Sequence, residues 1–89
     1  MNWQQSRESY PHQWLLVEAA AAHSEGDRRI VDEMNVLGAF ADSLDAWRTY
    51  SAHHAESPFR ELYVVHTDRE ELDIRERREL PLRGIRVDR

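Results

Sequence analysis

The chain contains no cysteine. No disulfide can staple the fold, and no thiolate is present to act as a nucleophile or a zinc ligand. Lysine is absent as well, so all 12 residues of the Lys+Arg count are arginine. With abundant alanine, that bias points to a high-GC genome. The glycines stand apart at 26, 38 and 84, which excludes a phosphate-cradling glycine loop, and neither a His-Glu-x-x-His nor a Gly-x-Ser-x-Gly motif occurs. Long apolar runs are missing. Even a run such as Trp14-Leu15-Leu16-Val17, which no other exceeds, falls far short of the roughly 20 residues that cross a bilayer. The first eight residues show no basic start followed by an apolar stretch, so no secretory leader is read and a cytoplasmic location is expected.

What is present suits one small folded domain. The 89 residues are 40% hydrophobic and 33% charged, with a net charge of −5. A disordered chain carries fewer large apolar residues, and an acidic balance opposes broad nucleic-acid binding, which depends on neutralising phosphates. A chain this short buries only about 60% of the surface its unfolded form exposes. Its core is thin, and a partner can add to it.

Along the chain, residues 1–9 read as a polar tail or short helical arm around Trp3. Tyr10-Pro11 punctuates the sequence. Trp14 to Ala22 reads as a first strand, with Leu15, Val17, Ala19 and Ala21 on one face and Leu16 on the other. Alanine also favours helix, but the β-forming Trp and Val and the turn that follows favour strand. After the polar loop 23–28, Arg29 to Phe40 reads as a second strand, partly interrupted by Asp32 and with a bulge or a shortened strand expected near Gly38. Asp42-Ser43 is a helix start. The helix runs to about Glu56, with Leu44, Trp47, Tyr50 or Ser51, and His54 on one face, and Pro58 ends it. Glu61 to His66 alternates as a third strand, and Leu72 to Arg77 reads as a charged edge strand. The expected fold is therefore α+β, a four-stranded, mainly antiparallel sheet in the order β-β-α-β-β with one helix on one face. Residues 10–82 form its single domain, and 83–89 form a C-terminal tail.

The stretch from Tyr10-Pro11-His12-Gln13-Trp14 through Tyr63-Val64-Val65-His66-Thr67 to Glu70-Glu71-Leu72 resembles a family of small bacterial proteins to which no activity is assigned. The resemblance spans about residues 10 to 78. It implies a bacterial origin and a compact domain, and it transfers no site.

The candidate chemistry is sparse. His53-His54 lies near a helix end, where an imidazolium favours the helix dipole. Adjacent helical residues point about 100° apart, which does not suit one shared metal. His23 and His66 form a proton-transfer pair if their strands meet, with Glu18 or Asp68 as the carboxylate; the plainer reading is two half-exposed residues beside loops. Arg75, Arg77 and Arg78 form a cationic stripe that suits phosphate or an acidic partner. Asp68, Glu70, Glu71, Asp73 and Glu76 precede or interleave with them and weaken that field. Trp47 is assigned to the core, Trp14 to core or rim, and Trp3 to an interface anchor or a free tail.

The decisive pattern is apolar residues on both strand faces. Leu16, Val31, Leu37, Tyr63 and Val65 fall on the parity opposite the helix, and a sheet apolar on both faces needs a second cover. The leading expectation is a non-enzymatic protein-binding or regulatory module that acts through a sheet face or edge, with a homodimer as the expected assembly. It needs no cofactor and no metal. The alternative is an antitoxin-like regulator that touches nucleic acid through the arginine stripe. A small enzyme with a His–carboxylate pair ranks last.

Overall fold

A computed structural model of the chain describes residues 1–74 and the backbone of 87–88. Helix α1 spans Trp3–Ser9, strand β1 Trp14–Glu25, strand β2 Arg28–Phe40, helix α2 Ser43–Glu56, strand β3 Leu62–His66, and the two-residue strand β4 Val87–Asp88. The sheet order is β2-β1-β3-β4. The three long strands are antiparallel neighbours, whereas β4 lies parallel to β3.

The expected order β-β-α-β-β, four strands with one helix, is therefore corrected to three antiparallel strands (β2-β1-β3) and two helices. Two segments account for the difference. Residues 3–9 are a helix because Asn2 caps it. The Asn2 side chain accepts from the Gln5 amide, and the Gln5 side chain accepts in return from the Asn2 amide. This reciprocal arrangement satisfies two orphan donors at once. Residues 72–74, expected to begin a fourth strand, are irregular chain. Ile74 is buried and Leu72 packs beside it in the core. The Ile74 carbonyl accepts from the Arg29 amide at 2.9 Å, which ties this segment to the start of β2. The rest of the expected strand, 75–77, lies outside the described residues.

Strand alternation divides the core in two. Leu16, Leu62 and Val64 face α2, where they meet Ala46 and Tyr50. Leu15, Val17, Tyr63 and Val65 face the other way, joined by Met34 and Ile74 and covered by Trp3 and Tyr10. Cross-strand register enforces the split, with Leu16 opposite Val64 and Leu15 opposite Val65. Helix α2 starts at Asp42, whose carboxylate accepts from the Leu44 amide, a cap worth about 1 kcal/mol. It turns Ala46 and Tyr50 inward and leaves Leu44, expected on the buried face, 53% exposed. Trp3 donates its indole N–H to the Arg69 carbonyl at 3.1 Å, and Arg7 donates to the Thr67 carbonyl at 3.0 Å. These bonds dock α1 against the end of β3.

The β1–β2 hairpin outruns β3, which pairs with β1 only from Trp14 to Glu18. Its ladder breaks between Leu16 and Val17, between Ala19 and Ala21, and between Ala21 and Ala22. Leu37, Ala20 and Asp32 are the extra residues at these breaks. Each bulge bends the strand and increases its twist, so the small alanines let the hairpin curl until Arg29 reaches Ile74 and Glu61.

Candidate functional site: the outer flank of the second strand

Strand β2 forms one edge of the sheet. Residues opposite each other in an antiparallel ladder alternate between turning their backbone groups together and turning them apart. The Ala19 amide donates to the Glu61 carbonyl, away from β2, and the amide of its partner Met34 donates to the Met1 carbonyl, away from β1. Val36, opposite Val17, and Ala39, opposite Leu15, follow the same sense. Their amides and carbonyls therefore point outward. Met1 occupies the flank at Met34, and its ammonium pairs with Glu33 at 2.6 Å. From Asn35 to Phe40 no other strand lies beside β2 among the described residues.

An apolar shoulder adjoins this flank. Leu37, Phe40, Trp14 and Trp47 pack on the α2-side core, and all four remain only partly buried. Gly38 makes the shoulder possible. A Cβ there would come within 2.6 Å of the Phe40 ring, so the aromatic lies over bare backbone.

The apolar residues singled out from sequence do not form one surface. Leu16 is fully buried against α2, and Leu37 lies half-buried on the same side. Tyr63 and Val65 are buried on the α1 side, with Val31 half-buried beside them. Both sheet faces are thus covered within the protomer, by α2 on one side and by α1 with residues 72–74 on the other. Of the five, Leu37 alone borders the open flank. Arg75, Arg77 and Arg78 lie outside the described residues.

No family model, curated protein or solved structure matches this chain.

The histidines are separated by the topology. His66 pairs with Trp14 at one end of the sheet and packs edge-on against its ring at 4.9 Å. His23 lies near the tip of the hairpin, at the opposite end of β1. They do not meet. His66 gathers instead with Asp68, whose amide donates to its Nδ1 at 3.1 Å, and His12 reaches the same carboxylate at 2.6 Å. His12 is 85% exposed. His54 stacks on Tyr50, and His53 lies 3.4 Å from Arg60. Among the described residues, no group of three or more His, Asp or Glu is arranged to hold a metal ion. No helix among them is long and apolar enough to cross a membrane.

Two arginine–carboxylate pairs escaped the sequence reading, since nothing local joins their members. Arg60 donates from both Nε and Nη2 to Glu18 at 2.8 Å. Arg29 donates likewise to Glu61, at 2.8 and 2.9 Å. The planar guanidinium matches a carboxylate at two points, which makes such pairs specific. Each locks β1 or β2 to the start of β3. Glu61 also accepts the Tyr63 hydroxyl proton. Burial, reinforced by that carboxylate, holds the Tyr63 phenol above its ordinary pKa.

The Arg60 hydrogen bonds hold Glu18 below its ordinary value of 4.5, against a smaller desolvation effect. A carboxylate with a depressed pKa contributes stability above its unfolded value and loses it as pH falls through the folded one. Glu18→Gln is therefore expected to lower stability at pH 7 and to flatten the acid limb below pH 4.5. Urea midpoints measured from neutral to acid pH check this.

Proposed function

We propose that the protein is a non-enzymatic binding module that associates through the outer flank of β2, and that its partner is a second copy of the same chain. The observation that carries this reading is the flank itself. Val36 and Ala39 present outward backbone groups beside the half-exposed Leu37, Phe40 and Trp47. A strand edge binds another strand through main-chain hydrogen bonds and draws its specificity from the side chains alongside. An unpaired edge is otherwise an aggregation risk that proteins cover or charge. From Asn35 to Phe40 no residue is charged, so two copies meeting antiparallel bring no like charges together there. Two-fold pairing of one edge with itself closes at the dimer. Coverage of both sheet faces directs association to this edge and away from a face.

The test is light scattering across a concentration series, with wild type, Ala39→Pro and Leu37→Arg. Proline is tolerated where an edge strand's N–H points outward, and it deletes one donor from the flank. Leu37→Arg sets like charges against each other across the two-fold. A dimer in the wild type and monomers in both variants are expected. A wild-type monomer at every concentration, or a dimer untouched by either change, overturns the reading.

A further inference from the structure

The tip of the β1–β2 hairpin holds a histidine between two carboxylates. His23 Nδ1 lies 2.8 Å from Asp32, and Nε2 lies 2.8 Å from Glu25. Both positions follow from the strand geometry. Glu25 is two residues beyond His23 on β1 and shares its face. Asp32 is the extra residue of a β2 bulge, and bulges re-aim the side chain they carry. An ionised carboxylate only accepts hydrogen bonds, whereas a neutral imidazole has one donor and one acceptor nitrogen. The two short contacts are both hydrogen bonds only when each ring nitrogen bears a proton. With one proton removed, a lone pair faces a carboxylate oxygen.

We propose that His23, Glu25 and Asp32 form a pH-sensitive clasp, which holds the distal part of the β1–β2 hairpin closed while the imidazole carries both protons and releases it when one is lost. Asp32 lies across the ladder from His23, so the clasp bridges the two strands where β3 no longer supports them. Other charged groups stand at this end among the described residues. Arg28 stands opposite Glu25, Asp27 is in the turn, and Arg29 is committed to Ser24 and Glu61. From outside the hairpin, Glu61 and Tyr63 reach it through Arg29, and Ile74 brings the neighbouring Asp73. The hydrogen bonds that His23 donates to Glu25 and Asp32 raise its pKa above 6.5, against a smaller desolvation effect. A raised pKa means a stabilising contribution present in full below the ordinary value and lost as pH rises through the folded one. The clasp therefore closes on the acid side and opens on the alkaline side.

Histidine NMR titration and amide hydrogen exchange, corrected for the intrinsic pH dependence of exchange, read this out in wild type, Asp32→Asn and His23→Gln. In wild type, protection of the amides from Ala21 to Ile30 is expected to fall as pH rises through the His23 midpoint. Asp32→Asn is expected to lower that midpoint, and His23→Gln to abolish the step. A midpoint unmoved by Asp32→Asn, or hairpin protection that stays level across it, overturns the clasp.

Discussion

Leu16→Ala is expected to lose about 2–5 kcal/mol of folding stability, the range for deleting a buried leucine from a core that relaxes only in part. Leu16 is 0% exposed and touches the α2-side cluster at its centre, among Leu62, Val64, Ala46 and Tyr50. The loss is large beside the total. A domain of this size has about 4–13 kcal/mol to spend, at roughly 0.05–0.15 kcal/mol per residue. Two independent consequences follow. Among the described residues, helix α2 buries its inner face on this cluster, so its amides are expected to lose protection before those of β1. Leu15→Ala, one residue away, is expected to cost a comparable amount while loosening α1 instead, because Leu15 belongs to the opposite cluster. Urea unfolding followed by circular dichroism gives the sizes, and hydrogen exchange gives the locations. Equal loosening of both helices by either substitution would contradict the two-cluster core.

Glu61→Ala is the second large effect, expected at about 2–3 kcal/mol, because breaking a buried pair from one side costs about 3–5 kcal/mol and this pair keeps some solvent contact. Glu61 and Arg29 are 18% and 21% exposed. The substitution leaves the Arg29 guanidinium without its bidentate acceptor and the buried Tyr63 hydroxyl without the carboxylate it donates to. Glu61→Gln retains one acceptor oxygen and is expected to recover part of the loss. A double-mutant cycle with Arg29→Met isolates the pair from the tyrosine. Additive losses would show that the pair is decorative.

Much of the local structure was legible. The alternation from Leu62 to His66 and the Asp42-Ser43 start mark β3 and α2 where they occur. Leu72 and Ile74 alternate like a strand, but periodicity reports which residues turn inward and says nothing about a ladder partner. Here both enter the core from irregular chain. The Asn2–Gln5 capping box stands at its correct spacing, masked by the polar composition of residues 1–9. Sequence alone offers Trp3 as tail or anchor, whereas in the fold it helps to close the second sheet face. The chain therefore supplies a second cover itself, and Leu16 and Leu37, expected opposite the helix, lie on its side. The open flank of β2 depends on strand order, and no residue pattern encodes strand order directly. The Arg29–Glu61 and Arg60–Glu18 pairs are hidden for the same reason, since they join residues 32 and 42 positions apart.

The docking of α1 also dictates a timetable. The helix is made before its docking partners, since the carbonyls that receive Trp3 and Arg7 belong to Arg69 and Thr67, and Ile74 comes later still. Translation proceeds at about 5–20 residues per second, so for several seconds the nascent chain carries Leu15, Val17 and Met34 before their cover is complete. A chaperone that favours short greasy segments has its opening in that interval, and it closes when Ile74 arrives.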